Sequence, residues 1–177
     1  MLNVYKKYAI LILTAWMLVF AGMCATFAEA ADAVGKFTAV EGKVDILKGG
    51  ALPGVPAQAG DSVAVKDIIR TKSDSKAEIV FNDNNILRVA QRSRVDISEY
   101  ISGTKGVIKL PRGTVEAVVQ KKLAGLTSAS DAHRFEIQTP NAVAGVRGTD
   151  FFVTHDKNVT GVIVKEGVVA TFNPKFP

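Results

Sequence analysis

The side chains that could carry out chemistry in this sequence are few and scattered. It has two histidines, His133 and His155, and neither has an acidic or cysteine neighbour at the spacing of a metal site. No serine lies in a Gly-x-Ser-x-Gly context, and no glycine-rich phosphate loop is present. The aspartates are dispersed rather than paired: Asp61, Asp67, Asp74, Asp83 and Asp96. The sequence therefore predicts surface histidines and no catalytic, cofactor-binding or metal-binding residue, and hence no enzyme.

Residues 82–85 read Asn-Asp-Asn-Asn and offer side-chain oxygens that Ca²⁺ could use. The run lacks the further acidic residues and the distal glutamate of an EF-hand loop. Asn and Asp also favour β-turns, because their side chains bond nearby backbone groups. We therefore favour a plain turn between two strands.

The charge of the chain is modest and evenly spread. The 177 residues carry a net charge of +5, which becomes +4 without Lys6, Lys7 and Glu29 of the leader described below. Basic and acidic residues are interspersed from Lys36 to Lys175, whereas nucleic-acid binders concentrate basic residues in a stripe. The length is that of one ordinary domain. A soluble surface with no nucleic-acid partner is the favoured interpretation.

One group of basic residues could nevertheless form an anion-binding strip. Its members are Arg70, Lys72, Lys76, Arg88, Arg92 and Arg94. No aromatic side chains alternate with them, so a stacking platform for single-stranded nucleic acid is not predicted.

The first 30 residues have the composition of a signal peptide. Lys6 and Lys7 precede an uncharged run over residues 8–27. Ala28 and Ala30 then supply the small residues that a signal peptidase requires, which predicts cleavage after Ala30. The predicted domain is therefore residues 31–177, and the predicted location is the periplasm or the cell exterior.

Two alternatives to cleavage stay open. The uncharged run is long enough to span a bilayer as one helix, which would anchor the chain in the inner membrane with the domain facing the periplasm. Lipid attachment at Cys24 is disfavoured, because bulky Met23 precedes it. Cys24 is the only cysteine, so the domain itself can form no disulfide.

The rest of the chain reads as short β-strands. Apolar stretches rich in β-branched residues alternate with Gly, Asn, Asp and Ser clusters every eight to twelve residues, and no segment has a helical period. Ala77, Ile79 and Phe81 alternate with polar residues and are predicted to share the inward face of one strand. After the turn at residues 82–85, a second set shares one parity and is predicted to face inward, opposite to the polar residues between them: Leu87, Val89, Val95 and Ile97. A turn is predicted at Pro111-Arg112-Gly113, and a loop or short helix over residues 120–132. Ten or more strands in one core predict an all-β sandwich, barrel or rolled β-solenoid.

Four segments in order resemble the FecR domain, and together they cover residues 34–172. They are Gly42-Lys-Val-Asp-Ile; Gly60-Asp61 through Asp67-Ile-Ile-Arg-Thr71 to Leu87-Arg-Val89; Leu110-Pro-Arg-Gly-Thr-Val115; and Phe135-Glu-Ile-Gln-Thr-Pro140 through Ala144-Gly-Val-Arg-Gly-Thr-Asp-Phe151 to Glu166-Gly-Val168. The last segment is the most specific. The resemblance implies the all-β fold of that domain, which occurs in regulators that relay iron-uptake signals and in stand-alone exported proteins.

The last segment also supplies the residues predicted to shape the fold or to contact a partner. They are Thr139, Pro140, Gly145, Arg147, Gly148, Thr149, Glu166 and Gly167. Pro140 ends a strand without leaving a buried donor, and Gly145 and Gly148 permit conformations that a Cβ atom forbids. Arg147 either locks the corner by bonding carbonyls or a carboxylate such as Asp150 or Glu166, which we favour, or contacts an anionic ligand or partner.

The functional prediction is an exported, non-enzymatic binding module in envelope signalling or assembly. Exposed strand edges are its expected contact surface, and its partner is expected to be a protein or glycan of the cell envelope. Only seven residues precede the apolar run, so we expect a stand-alone form without the cytoplasmic segment that restrains a sigma factor in the regulators. The alternatives are an enzyme acting on an envelope polymer and a structural protein that self-associates through its strand edges.

Overall fold

The chain beyond the leader is built from β-strands, as its alternating apolar residues predict. A computed structural model describes residues 32–121 and 134–173. Its strands are β1 (Ala33–Glu41), β2 (Val44–Leu47), β3 (Val55–Pro56), β4 (Ser62–Ala64), β5 (Ile68–Thr71), β6 (Lys76–Phe81), β7 (Ile86–Val89), β8 (Arg94–Ile101), β9 (Lys105–Val118), β10 (Arg134–Gln138), β11 (Val143–Val146), β12 (Asp150–Asp156), β13 (Val159–Glu166) and β14 (Val169–Phe172). A single 3₁₀ turn, Lys48–Gly50, is the one helical element in this part of the chain. The predicted all-β fold with more than ten strands is confirmed.

All 14 strands belong to one curled sheet, and β9 divides it into two parts. We call sheet I the order β4-β1-β6-β7-β9-β12-β13, which uses the second half of β9. We call sheet II the order β3-β2-β5-β8-β9-β10-β11-β14, which uses the first half. Neighbouring strands are antiparallel except for β9 and β10, which are parallel.

The middle of β9 bends where a turn was predicted. The prediction of a turn at Pro111-Arg112-Gly113 was wrong, because pairing with neighbouring strands keeps the chain extended through these residues. Gly113 has a φ of +108°, and a Cβ atom there would lie 2.4 Å from the Ser93 Cα. Glycine therefore lets β9 pass close to Ser93 and bend from sheet II into sheet I.

The inner faces of both sheets share one hydrophobic core. The apolar residues predicted to face inward on β6, β7 and β8 are all buried, and residues of β9 to β12 join them. Phe81 of sheet I stacks on Tyr100 of sheet II, with ring centroids 4.1 Å apart. A core that spans both sheets makes neither sheet independent of the other.

The loops agree in part with the sequence. The connection from β2 to β4 contains the 3₁₀ turn and the two-residue strand β3. Most of the predicted loop over residues 120–132, together with His133 and the leader, lies outside the described residues. Among residues 32–121 and 134–173, no helix has the length and apolar character needed to cross a membrane.

Candidate interaction surface

The residues from Gly148 to Thr149 lie where the chain crosses from sheet II to sheet I, between β11 and β12. The connection from β13 to β14 crosses back beside them. The Thr149 hydroxyl donates a hydrogen bond of 3.0 Å to the Val168 carbonyl, and the Val119 N–H donates one of 2.9 Å to the Thr149 carbonyl. Thr149 therefore ties the two crossing connections to each other and to the end of β9.

Two glycines make this close crossing possible. Gly148 has a φ of +69°, and a Cβ atom there would lie 2.8 Å from the Lys121 Cα. Gly167 has a φ of +97°, and its Cβ atom would lie 2.8 Å from the Thr149 hydroxyl and 3.0 Å from the Gly148 carbonyl oxygen. The conformational role predicted for Gly148 is thus supported, and Gly167 has the same role.

Gly145 differs from these two glycines. It lies inside β11, outside the positive-φ region, and a Cβ atom there would come no nearer than 3.9 Å to another residue. Gly145 was predicted to adopt a conformation that a Cβ atom forbids. This prediction was wrong, because an ordinary strand residue fits at this position.

Thr139 and Pro140 close the end of β10. The Thr139 hydroxyl accepts a 3.0 Å bond from the Ala142 N–H and lies 2.7 Å from the Thr160 hydroxyl of β13. His155 Nδ1 lies 2.9 Å from the same Thr160 hydroxyl. This buried polar network joins the Thr-Pro corner to the β12–β13 hairpin.

The burial of His155 corrects a prediction. It was expected at the surface, but only 4% of it is exposed. Phe151 and Val153 on β12 are also buried and share its parity, so alternation along the strand places His155 inward. The parity pattern was a signal in the sequence that could have identified it.

Arg147 is exposed beside the corner. The two carboxylates proposed as its partners bind lysines instead, Asp150 with Lys165 at 2.8 Å and Glu166 with Lys121 at 3.0 Å. Among the ion pairs of the described residues, none includes Arg147. Lysines rather than Arg147 therefore bind these two carboxylates, and Arg147 is exposed at the surface.

The turn at residues 82–85 connects β6 and β7, as predicted. The Asp83 carboxylate accepts hydrogen bonds from the Tyr100 hydroxyl at 2.7 Å, the Asn85 amide at 3.0 Å and the Gly103 N–H at 3.0 Å. Burial of Tyr100, followed by its bond to Asp83, raises the pKa of the phenol above its ordinary value. These donors occupy the Asp83 oxygens, which supports a structural turn. Within the described ranges, no group of three His, Cys, Asp or Glu side chains could hold a metal ion.

The predicted anion-binding strip is divided between the two sheets. On sheet I, Lys76 pairs with Glu41, and Arg88 pairs with two glutamates. Arg92 lies in the β7–β8 turn and bonds the Ser73 hydroxyl. The remaining members, Arg70, Lys72 and Arg94, share the outer face of sheet II.

Each sheet has two edge strands, β4 and β13 in sheet I and β3 and β14 in sheet II. The edge strands on one side of β9 are short: β4 has three residues, and β3 has two, one of which is a proline. At the other end, β13 has eight residues without proline, and among the described strands it pairs with β12 alone. Short strands and proline protect sheet edges from further pairing, so within residues 32–121 and 134–173 the end formed by β13 and β14 is the one open to an added strand.

This open end is also apolar. We call β13, β14 and the two residues between them the C-terminal edge. Val162 and Val169 pack against the core and anchor the two strands, whereas Ile163 is 65% exposed and Val168 is 80% exposed. The other exposed apolar residues of the edge are Val159, Val164 and Phe172. A long strand edge with exposed apolar side chains is typical of an interaction surface.

Comparisons with known proteins identify the family of the chain and its fold. The family model described as FecR protein matches residues 67–170, more than half of the 177 residues. The chain belongs to the FecR protein family. The matched part of this FecR chain contains β5 to β13, including Thr139 to Gly167, whereas the resembling residues from 34 to 66 precede the match.

Two solved structures share the FecR fold of this chain. Both are crystal structures of a candidate anti-sigma factor from Parabacteroides distasonis ATCC 8503, and both have 14% sequence identity to it. The TM-scores are 0.50 and 0.51, each match covers 61% of this chain, and it covers 48% and 47% of the other chains. This chain therefore spans about half the length of the proteins it resembles. A comparison with curated proteins found no match.

Proposed function

We propose that this FecR domain is an exported, non-enzymatic module that binds a protein partner in an envelope signalling or assembly system. Membership of the FecR family and the fold shared with a candidate anti-sigma factor favour a regulatory role in signalling. The predicted signal peptide favours a location in the periplasm or outside the cell. The observation that carries the proposal is the open C-terminal edge.

The C-terminal edge suits a protein partner better than a glycan. The free side of β13 presents a row of backbone N–H and C=O groups, which an added strand can match along its whole length. The exposed side chain of Ile163 then offers an apolar contact beside those hydrogen bonds. A glycan has no peptide backbone and cannot reproduce this pairing.

The corner beside the edge makes the surface rigid. Thr149, Gly148 and Gly167 hold the β13–β14 connection against the β11–β12 connection. A rigid edge loses little conformational entropy when a partner strand binds. The role proposed for the family motif is therefore to position the binding edge, with Arg147 as a basic contact beside it.

The test is site-specific photo-crosslinking in the cells that naturally express the chain. A photoreactive residue replaces Ile163 on β13 in one variant and Ser62 on the protected edge strand β4 in the control, and both positions are exposed. The expected result is one protein partner attached at position 163 and not at position 62. Identical adducts at both positions, no protein adduct at 163, or an adduct only with a second copy of the chain would each reject the proposal.

A further inference from the structure

Three arginines lie directly opposite one another on the outer face of sheet II. Arg70 of β5 is in register with Arg94 of β8, which is in register with Arg112 of β9. We call these three residues the arginine row. Neighbouring strands are about 4.8 Å apart, so the row places three positive charges in a line across the strands. Like charges in directly opposite positions destabilise a sheet, and the row therefore needs an explanation beyond folding.

The outward direction of Arg70 and Arg94 follows from the strand period, because each is next to a buried residue, Thr71 or Val95. Arg112 is exposed and lies directly opposite Arg94, past an irregularity in the β8–β9 register, so it shares the outer face with Arg94. Lys109 is next to the buried Leu110. Lys72 and Lys109 face outward for the same reason and flank the row. Five basic side chains therefore share this face.

Two carboxylates neutralise only part of this charge. Asp45 Oδ2 forms ion pairs with Arg70 Nη2 at 3.2 Å and with Lys72 Nζ at 3.1 Å. Asp96 binds Arg94 at 3.1 Å. No ion pair between described residues includes Lys109 or Arg112.

We propose that the arginine row, with Lys72 and Lys109, binds an extended acidic segment of a protein partner. The guanidinium group is planar and can bind a carboxylate through two parallel hydrogen bonds. Arg94 already makes such a two-point contact with Asp96, from Nε to Oδ1 at 3.1 Å and from Nη2 to Oδ2 at 3.5 Å, and Arg70 makes a single hydrogen bond of 3.2 Å to Asp45. A segment that crosses the strands would bring further carboxylates to the side that these two leave uncompensated.

The neighbourhood of the row favours a peptide over other anions. Among the exposed large apolar residues of the described chain, one is aromatic, Phe172, and it lies on β14, a strand that carries no member of the row, so nucleobases would have no stacking surface beside the row. Pro56 of β3 is exposed and lies directly opposite Asp45 of β2, so its apolar ring shares this face at the Asp45 end of the row. An apolar residue of the same segment can pack against it. The row lies on strands other than those of the C-terminal edge, so the two surfaces can be tested separately.

The test measures fluorescence anisotropy of a labelled peptide of alternating Glu and Val residues, with the matched Gln and Val peptide as a second probe. The expected result is salt-sensitive binding of the Glu peptide and at least about tenfold weaker binding of the Gln peptide. The double variant R94Q/R112Q should lose at least about tenfold in affinity. The control variant K36Q/K76Q removes the same net charge from sheet I and should stay within about twofold of the parent chain.

Each possible result of these experiments indicates a different role for the arginine row. Equal losses of affinity for the Glu peptide in both double variants would show that only net charge matters, and would reject the proposal. Binding to vesicles containing phosphatidylglycerol without binding to the Glu peptide would assign the row to a lipid surface and would also reject it. Thermal unfolding gives an independent readout: R94Q/R112Q should be at least as stable as the parent chain, because like-charge repulsion is removed. A large loss of stability would show that the row is structural.

Discussion

Gly148, Thr149 and Gly167 together build the crossing of two backbone segments at the C-terminal edge. Each glycine has a positive φ, and each would place a Cβ atom against backbone or hydroxyl atoms of the other crossing segment or of β9's end. A positive φ and a close approach to neighbouring atoms each disfavour a Cβ atom at a glycine position. Their effects on the free energy of unfolding can be separated by comparing two glycines that share the first feature and differ in the second.

Gly167→Ala should destabilise the chain by about 2 to 4 kcal/mol, because it adds overpacking to an unfavourable φ. Gly60→Ala is the matched control: Gly60 has a φ of +95°, close to the +97° of Gly167, and no atom lies within 4 Å of its Cβ position. The control should cost only about 1 kcal/mol. Urea unfolding of both variants measures the difference, and equal losses would show that close packing at the crossing contributes nothing.

Five strands of sheet I are linked by a row of ion pairs on their outer face. Arg88 of β7 binds Glu78 of β6 at 2.8 Å and Glu116 of β9 at 3.1 Å. Lys165 of β13 binds Glu116 and Asp150 of β12, each at 2.8 Å. This row of opposite charges contrasts with the arginine row of sheet II and has no need of an external partner.

The ion pairs change the acid titration of the two glutamates. Hydrogen bonds from Arg88 and then Thr38 hold the pKa of Glu78 below its ordinary value of 4.5. Burial would raise the pKa of Glu116, but hydrogen bonds from Lys165 and Arg88 outweigh it and hold this pKa below 4.5 as well. A carboxyl group with a lowered folded-state pKa stabilises the fold above its unfolded pKa, and this contribution is lost as pH falls through the folded-state value.

Arg88→Gln should therefore reduce the loss of stability that the parent chain shows as pH falls below about 4.5. Near pH 7 the variant should be less stable by no more than about 1 kcal/mol, because Arg88 is partly exposed. Urea unfolding as a function of pH measures both effects. Lys76→Gln, which breaks the exposed pair with Glu41, is the control and should preserve the shape of the profile. Identical profiles for the parent chain and Arg88→Gln would contradict this account.

At the scale of the whole molecule, β9 makes the two sheets one structural unit. Its first half pairs with β8 and β10, and its second half pairs with β7 and β12. The stacked rings of Phe81 and Tyr100 join the sheets again across the core. A domain with one shared core is expected to unfold in a single cooperative step.

A cavity in either sheet should consequently weaken both. Ile79→Ala in sheet I and Ile97→Ala in sheet II replace fully buried side chains, and each should cost about 2 to 5 kcal/mol. Hydrogen exchange of the amides in β5 and β12 then reports on sheets II and I, respectively. Each variant should accelerate the slow exchange of both strands by a similar factor. Faster exchange confined to the sheet that carries the substitution would show that the sheets unfold separately.

Local sequence patterns were enough to predict the fold class, the buried faces of β6, β7 and β8, and the resemblance to the FecR domain. Alternation of side chains is a local property, so the buried faces of β6, β7 and β8 could be read from neighbours two residues apart. The same rule would have placed His155 inside. The motif from Thr139 to Gly167 likewise identified the FecR family before its geometry was known.

The pairing of the strands and their register could not be predicted from local patterns and emerge from the three-dimensional fold. The arginine row joins residues from three strands and exists because β5, β8 and β9 align Arg70, Arg94 and Arg112. The continuous course of β9 through Pro111, the lysine partners of Asp150 and Glu166, and the open edge of β13 depend in the same way on pairing between distant segments. A period of two residues specifies the face on which a side chain lies, but its cross-strand neighbour is determined by contacts far apart in the chain.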